Sequence, residues 1–296
     1  MTTRPLTTLI EPHPPQRWRL GIFDNPTTGL PRIEDVTRLG NGIAYNPIDA
    51  TVGVGVGFDP CATDISIVPD ESDTADSVEW QAWGIAMSLS CSTLTGGADL
   101  IADQEARVRA KMEAQSSYAG ERIFWSGDIN SADTMAGQGW SNSWLANGVT
   151  ATTLGANEVG VVTAFGLIHE YLADTLQGLR GVIHVPPILL PYLAHYRVVN
   201  RDQFTLGTAL SDHIVAAGSG YLGTDPDGAD PATGITWIYA TSMVRTAQTD
   251  IVVRSEIDRA ENLVIATASR TQLAEWDLQA HAAVEVCLPD PGPACT

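Results

Sequence analysis

Lysine is almost absent from this sequence of 296 residues. Only Lys111 among the 16 basic residues is a lysine, and 35 acidic residues bring the formal net charge to -19. Neutralising nucleic-acid phosphates requires a basic surface, so a chain of this charge is a poor candidate for gripping DNA or RNA. The lone lysine lies outside any GxxxxGK[ST] motif, which also excludes a P-loop.

Long apolar runs are missing as well, although hydrophobic residues make up 44% of the chain. No run approaches the roughly 20 residues of a membrane-spanning helix, and the composition is typical of globular proteins. Prolines stand near the start of the chain where a signal peptide needs its apolar core, so we expect no export. The length suits one large domain or two.

Cysteine is sparse, and no CxxC spacing indicates a zinc or redox site. The four cysteines are Cys61, Cys91, Cys287 and Cys295. We expect four reduced thiols in a protein made in a cytoplasm. The alternative is a disulfide between Cys287 and Cys295, which would close a small loop around LPDPGPA.

Motifs for catalysis and cofactor binding are lacking too. The segment from His169 begins like a zinc-binding HExxH motif, but residue 173 is alanine. The glycine run 53–57 is followed by Asp59 rather than by a helix N-terminus, which argues against a dinucleotide site. The sequence therefore predicts no catalytic, cofactor-binding or metal-binding residues and no cofactor.

The segment DPDGADPATG contains three acids that are not spaced as in a calcium-binding loop. Thr236 stands where such a loop needs a bidentate acid, so we predict a plain turn. An enzyme with a dispersed acid/base site, using Asp225, Asp227 and a histidine, stays open as an alternative function.

Negative charge is concentrated between residues 41 and 106, a stretch without Lys or Arg. Its acids are Asp49, Asp59, Asp64, Asp70, Glu71, Asp73, Asp76, Glu79, Asp99, Asp103 and Glu105. IAYNPIDATVGVGVGF and SVEWQAWGIAMSLSCSTL are rich in β-branched and aromatic residues, which predicts two arms of a long hairpin with PDESDTADS as its acidic turn region. A hairpin with so little core needs a surface to lie on, which we expect to be another subunit.

Extended chain precedes this hairpin, and helices follow it. Six prolines in the first forty residues favour an extended arm. GGADLIADQEARVRAKMEAQSSYAGERIFW predicts an amphipathic helix that begins near Asp99 and ends before Ser126-Gly127, with Glu105 and Arg109 as an i,i+4 ion pair. A second helix is predicted over 158–177.

The remaining chain alternates between predicted strands and helices. GVIHVP predicts a strand, PILLPYLAHY a helix and FTLGTALSDHIVAAGSGYLG a strand–turn–strand. ITWIYATSMVRTAQTDIVVRS predicts a long strand or a strand pair, and ENLVIATASRTQLAEWDLQAHAAVEVCL a strand hairpin. The predicted fold class is α+β, with helices inserted among mainly antiparallel strands.

The order of these segments resembles the major capsid protein of tailed double-stranded-DNA bacteriophages, the Hong Kong 97 fold. ADLIADQEARVRAKMEAQSSYAGERIFWSGD resembles its spine helix, and NEVGVVTAFGLIHEYLADTLQGLRGVIHVPPILLPYLA the helix–strand–helix of its A domain. The resemblance covers essentially the whole chain as an order of elements. The segments it implies are an N-arm (1–40), an E-loop hairpin (41–95), a P domain with the spine helix (96–155), an A domain (156–240), and closing P-domain strands with a tail (241–296).

The resemblance implies a structural protein, not an enzyme, that forms hexamers and pentamers of an icosahedral head. Its expected partners are further copies, a portal, and a scaffold or decoration protein. The head would enclose double-stranded DNA without sequence-specific binding, in a virion assembled in the cytoplasm of a bacterial host, with no membrane. Some family members weld subunits through an E-loop lysine, which this hairpin lacks, so we expect non-covalent contacts. An encapsulin-like compartment and a tail or decoration protein are the structural alternatives.

Candidate interface residues follow from the charge distribution and from this resemblance. Closed rings use heterologous interfaces, so an acidic surface must meet a different, complementary surface on the next copy. Arginine suits that role because its guanidinium forms forked pairs with carboxylates. The candidates are Arg17, Arg19, Arg32, Arg38, Asp70, Glu71, Asp73, Asp76, Arg107 and Arg109.

Overall fold

The fold is known from a computed structural model. It describes residues 19–23, 30–33, 36, 39, 42–45, 78–92, 100–130, 133–134, 142–146, 151–202, 205–208 and 212–288. Most of the predicted arm and hairpin lies outside these ranges. The predicted site residues that also lie outside them are Arg17, Arg38, Asp70, Glu71, Asp73 and Asp76.

The described ranges contain three α-helices: α1 (Leu100–Ser126), α2 (Val161–Leu176) and α3 (Leu190–Tyr196). A 3-10 turn, Pro187–Leu189, leads directly into α3. The strands, numbered in chain order, are β1 (Ile43–Tyr45), β2 (Val78–Trp80), β3 (Trp83–Ser92), β4 (Asp128–Asn130), β5 (Asp133–Thr134), β6 (Thr152–Gly160), β7 (Gly181–His184), β8 (Val199–Asp202), β9 (Thr205–Thr208), β10 (Ile214–Ala216), β11 (Ile235–Ser242), β12 (Arg245–Gln248), β13 (Val252–Asp258), β14 (Leu263–Glu275) and β15 (His281–Cys287). None of the described helices is long and apolar enough to cross a membrane.

Helix α1 confirms the predicted long helix. Its 27 residues correspond to a length of roughly 40 Å. The helix is terminated by the next residue, Gly127. This glycine has a positive φ of 74°, and its N–H donates to Ile123 O at 2.7 Å. Glycine is required there, because a Cβ would lie 2.8 Å from the indole nitrogen of the buried Trp144.

A four-stranded sheet packs against α1. Its central strand, β14, pairs antiparallel with β3 on one side and with β12 and then β13 on the other. Alternate residues of β14 face the helix, where Ala266 and Ala268 join Val108 and Met112 in one buried cluster. Residues 31–33 of the arm cover the outer edge of β12, where Ile33 N–H donates to Thr246 O at 2.9 Å.

The second large sheet has seven strands, in the order β6-β15-β11-β7-β10-β9-β8. Its pairs are antiparallel except for β6 with β15 and β7 with β10. The apolar side of α2 covers this sheet, and Phe165, Ile168 and Leu172 lie in one core cluster with Ile183 and Val284. The described residues thus form two core clusters, one between α2 and this sheet and one around α1 that includes residues of both sheets.

The second predicted helix begins later than expected. Residues 152–160 form β6, which pairs in parallel with β15, and the helix starts only at Val161. The pairing with β15 satisfies backbone groups of this segment that a helix would otherwise satisfy internally. The helix ends as predicted, where Gln177 adopts the left-handed conformation with φ 47°.

The predicted C-terminal hairpin is wrong, because β14 lies in the four-stranded sheet and β15 in the seven-stranded one. The preceding segment, ITWIYATSMVRTAQTDIVVRS, was predicted to form one long strand or a strand pair, but it contributes to three strands. Strand β11 belongs to the seven-stranded sheet, and β12 and β13 belong to the four-stranded sheet. Alternation of polar and apolar residues indicates which side chains face a core, but it does not name the partner strand.

The predicted long hairpin is confirmed at its base. Strand β1 pairs antiparallel with β2, with Ile43 opposite Trp80. The following strand, β3, continues into the four-stranded sheet beside β14. Residues 46–77, which include the acidic turn region, lie outside the described ranges.

The expectation of four reduced thiols is wrong. Cys287 is disulfide-bonded, and its partner lies outside the described residues, whereas Cys91 is a half-buried free thiol. Spacing motifs such as CxxC test only local pairs. A disulfide instead requires Cα atoms within about 4.4–6.8 Å in space, and the fold can bring this about at any sequence separation.

Candidate subunit-contact site

Arg107 lies on the exposed side of α1 and already has an ion-pair partner in its own chain. Its Nε is 3.1 Å from Asp103 Oδ2, one helical turn earlier, with the two side chains 59% and 53% exposed. An exposed pair of this kind contributes about 0–1 kcal/mol. Replacing Asp103 with an acidic side chain of another copy as the partner of Arg107 would therefore cost little free energy.

Arg32 and Arg109 approach the same connection, the turn between β12 and β13. Arg32 Nη2 donates to Gln248 O at 3.5 Å, and Arg109 Nη1 donates to Ile251 O at 3.4 Å. Both contacts are long and exposed, and each uses one of the five N–H donors of a guanidinium. Most of the hydrogen-bonding capacity of these two arginines therefore remains for a partner.

The predicted pair of Glu105 with Arg109 is wrong. Glu105 Oε1 instead accepts a hydrogen bond from Ser255 Oγ of β13 at 2.6 Å, while Arg109 reaches the turn beyond the same strand. Helical spacing predicted which residues share a face of α1, but contacts with the adjacent sheet replaced the contact along the helix.

A third arginine, Arg270, fastens the β12–β13 turn to the sheet. Its Nε and Nη2 donate to Thr249 O at 3.2 and 2.8 Å, and its Nη1 donates to Ser116 Oγ of α1 at 3.1 Å. A shallow groove of about 330 Å³ lies beside it, between Gly84 on β3 and Val252 on β13. Sequence reasoning missed Arg270, because its alternating surroundings resemble any exposed strand position.

Arg19 begins the described arm segment 19–23, which crosses from the core cluster under α2, where Leu20 packs, to the cluster around α1. Arg19 itself is exposed, whereas Ile22 and Phe23 are buried in the core with α1. The next residue, Leu20, accepts a hydrogen bond from Ala217 N–H at 2.8 Å. The arm is thus anchored on both sides of this crossing.

Glu121, a buried carboxylate of α1, lies beside Gly21 at that crossing and binds the 218–221 loop. Its Oε2 accepts hydrogen bonds of 3.1 Å from Ser219 Oγ and from Gly220 N–H. A Cβ at Gly220 would lie 2.3 Å from Tyr118 O, and a Cβ at Gly21 would overlap the Glu121 side chain. Glycine at both positions allows the arm, the helix and the 218–221 loop to meet.

A buried histidine, His184 of β7, ties that loop to the seven-stranded sheet. Its Nδ1 is 2.9 Å from the Tyr221 hydroxyl, and its Nε2 is 2.9 Å from Thr241 Oγ1. Thr241 donates its own proton to Ser242 O, so His184 Nε2–H donates to Thr241 and His184 Nδ1 accepts from Tyr221. Burial, helped by nearby His281, lowers the pKa of His184 to about 3.

His281, at the start of β15, is the second buried histidine of this region. Its Nε2 lies 3.2 Å from Leu145 O, and its ring packs near Trp276 and Tyr239. Burial lowers its pKa to about 4, although the contact with Leu145 O acts in the opposite direction. Both histidines are therefore neutral packing residues at neutral pH.

His169 and His213 form a half-buried pair between α2 and the strand β10, with ring centroids 5.3 Å apart. His213 Nδ1 accepts from Gly181 N–H at 3.0 Å, so the neutral ring carries its proton on Nε2. Burial lowers the pKa of both. Throughout the described ranges, no group of three or more His, Cys, Asp or Glu side chains is placed to hold a metal ion.

The acids of the enzyme alternative lie in a turn. Asp225 Oδ1 accepts from Ala229 N–H at 2.7 Å, and Gly228 N–H donates to Asp225 O at 2.9 Å. This is the plain turn predicted for DPDGADPATG. Asp225 therefore has a structural role in the connection between β10 and β11.

A cross-strand ion pair was also missed by sequence reasoning. Arg245 of β12 lies directly opposite Glu275 of β14, and their side chains pair. The Glu275 side chain is only 1% exposed. No sequence signal could identify this pair, because the two residues are 30 positions apart and another strand and two turns lie between them.

Comparison with solved structures finds this fold in phages. The chain aligns with the capsid of Ralstonia phage GP4 at a TM-score of 0.54, with 11% identity over 94% of each chain. A chain from Microbacterium phage Oxtober96 aligns at 0.51, with 12% identity over 98% of this chain and 96% of that one. A chain from Mycobacterium phage Che8 aligns at 0.50, with 11% identity over 96% and 98%.

No protein-family model matches the sequence, and no curated protein gives a significant match. At identities this low, the structural similarity establishes the fold. The predicted α+β fold of the phage capsid type is confirmed at that level.

Proposed function

We propose that this chain is the major capsid protein of a tailed double-stranded-DNA bacteriophage and assembles into hexamers and pentamers of an icosahedral head. The observation that carries the proposal is the alignment with the capsid of Ralstonia phage GP4 over 94% of both chains. A shared fold by itself is compatible with different functions. Here the similarity extends across the whole chain, which supports a shared mode of assembly as well.

In this proposal the chain divides into an arm (1–40), a hairpin (41–95), a spine-helix domain (96–155), an axial domain (156–240) and closing strands with a tail (241–296). The axial domain contains α2 and α3 and surrounds the centre of each capsomer. The acidic hairpin lies across a neighbouring copy.

The arginines of the arm and of α1 are the proposed partners of that hairpin. Arg32 and Arg109 support this role, because each has an exposed guanidinium that makes only long contacts with backbone carbonyls. Arg107 would exchange Asp103 for an acid of the neighbour. Each pair contributes little, so stability comes from summation over a large buried area.

The proposed head encloses DNA without gripping it. A net charge of -19 repels phosphates, and the packaged DNA stays mobile against the wall. Portal and scaffold or decoration proteins complete the particle, which resides in the virion after assembly in the bacterial cytoplasm.

Electron microscopy of the purified chain tests the proposal. Closed shells of uniform diameter are expected, whereas a monomer or dimer at every concentration in light scattering would contradict it. Particles from the producing cells separate the two kinds of shell: nuclease-resistant DNA supports a phage head, and enclosed protein cargo supports an encapsulin-like compartment.

The same particles test the non-covalent character of the shell. After boiling in detergent with a reductant, a single band at 31.5 kDa is expected. A ladder of multimers that survives this treatment would contradict an assembly without covalent bonds between side chains.

A further inference from the structure

Strand β13 has an outer edge that pairs with no described residue. Its inner edge is in register with β14, from Val252 opposite Ser269 to Asp258 opposite Leu263. The arm covers the neighbouring edge of β12, but among the described residues this cover does not continue along β13. Such an edge presents unpaired N–H and C=O groups to which another strand can bind.

The side chains of β13 are also available to a partner. Val252 is 50% and Ile257 52% exposed. Arg254 and Glu256 are exposed, and neither forms an ion pair with a residue in the described ranges. Aliphatic side chains on an open edge favour association with a further strand.

The sequence of β13, VVRSEID, is complementary to itself in an antiparallel arrangement centred on Ser255. Arg254 then lies opposite the second copy's Glu256, and Val253 lies opposite the second copy's Ile257, each pair occurring twice by symmetry. Opposite charges and apolar pairs directly across two strands stabilise a sheet.

Only this register brings both kinds of pair together. The adjacent in-phase registers, reached by moving the symmetry centre by one residue, place Arg254 opposite itself or Glu256 opposite itself. Like charges directly opposite each other are destabilising. The charges that would discourage promiscuous pairing of this edge thus permit one specific pairing.

We infer that β13 pairs antiparallel with β13 of a second copy of this chain about a two-fold axis at Ser255, which joins two four-stranded sheets into one. The Ser255 hydroxyl bonds to Glu105 on α1, so Ser255 faces the helix layer and the two charged pairs form on the opposite face. The biological role of this contact rests on the proposed function, because a closed icosahedral shell contains two-fold axes between copies.

Cross-linking of full-length chains with Ser255→Cys tests the pairing. In an antiparallel pair, opposite Cα atoms lie about 4.5–5.5 Å apart, within the roughly 4.4–6.8 Å range of a disulfide. Oxidation should give a reductant-sensitive dimer at least tenfold more abundant than with the control Glu261→Cys. Residue 261 is exposed in the turn beyond the end of β13 at Asp258, so its counterpart would lie more than about 20 Å away, at about 3.3 Å per strand residue. Equal dimer yields for the two variants would overturn the inference.

Charge reversal provides a second test on the same chains, with an unchanged melting temperature as the folding control. Arg254→Glu or Glu256→Arg alone places like charges opposite each other and should reduce dimer or particle yield several-fold. The double variant restores opposite charges in the two-fold register and should recover the yield. A double variant as weak as the single ones would overturn the inference, since β13 would then face a different strand.

The two proposals fail separately. Particles without a Ser255→Cys cross-link would overturn the strand pairing and leave the shell intact. Cross-linked dimers that never form particles would support the pairing and contradict the shell.

Discussion

Acidification should destabilise the folded subunit through its two buried histidines. The pKa values of His184 and His281 are lowered to about 3 and about 4, while a histidine in the unfolded chain titrates near pH 6.5. Between about pH 4 and pH 6.5 the unfolded chain therefore binds more protons than the folded one. In that window the free energy of unfolding falls as the pH falls.

The magnitude follows from the width of the window. One pKa unit corresponds to about 1.4 kcal/mol, so lowering the pH from about 7.5 to about 5 costs about 2 kcal/mol for each histidine. Together they remove about 4 kcal/mol, a large part of the roughly 5–15 kcal/mol that stabilises a typical domain. Protonation of His184 at Nδ1 also removes its acceptor for Tyr221, whose own pKa is raised by burial and by Glu121.

Urea unfolding of dissociated subunits, followed by tryptophan fluorescence at both pH values, measures this loss. His184→Gln should lower stability at pH 7.5 and reduce the pH-dependent loss by about 2 kcal/mol. The exposed His195→Gln should leave that loss unchanged. His169 and His213, whose pKa values are also lowered, act in the same direction in every variant. A full pH-dependent loss retained by His184→Gln would refute the reasoning.

Three further perturbations test other parts of the structure. Gly220→Ala places a Cβ 2.3 Å from Tyr118 O and should lower the free energy of unfolding by about 2 kcal/mol or more. Gly166→Ala on α2 meets nothing within 4 Å and should be neutral or stabilising. Equal melting temperatures for the two variants would contradict the close approach of Gly220 to α1. Arg245→Ala removes the paired guanidinium from the buried Glu275 carboxylate and should cost about 3 kcal/mol in urea unfolding. A loss below about 1 kcal/mol would show that the pair is weak. Assembly yield by light scattering should fall between about 0.1 M and about 1 M salt, as the screening length shrinks from roughly 10 Å to roughly 3 Å, and a constant yield would count against charge pairing between copies.

Local features of the fold were predictable from the sequence, and partnerships between distant segments were not. The 3.6-residue periodicity and the Ser126-Gly127 break that follows predicted α1, with an end one residue before the observed end at Ser126. The same reasoning placed the start of α2 three residues early, because β15, more than a hundred residues later, holds Gly160 in a strand. Periodicity describes the environment of a side chain, whereas pairing depends on the global fold.

The candidate site shows the same division. Charge counting found Arg32 and Arg109 as exposed arginines, but it could not reveal that both reach the β12–β13 turn. The buried Glu121 was missed, although the neighbouring Gly120 inside a helix could have signalled a close approach, since a Cβ there would lie 2.2 Å from the Gln272 side chain. The reduced state predicted for Cys287 was wrong because it was based on the absence of CxxC spacing and on an expected cytoplasmic origin, neither of which tests for a disulfide formed through the fold.

The contact of the arm with β12 has a consequence for the order of events during synthesis. Residues 31–33 emerge from the ribosome early, yet they bind Thr246, and β12 in turn needs β14, which ends at Glu275. At roughly 5–20 residues per second, the arm waits on the order of 10–50 seconds for its binding surface. The four-stranded sheet therefore cannot be completed until β14 has been translated, and under the proposed function this would delay contact with other copies until then.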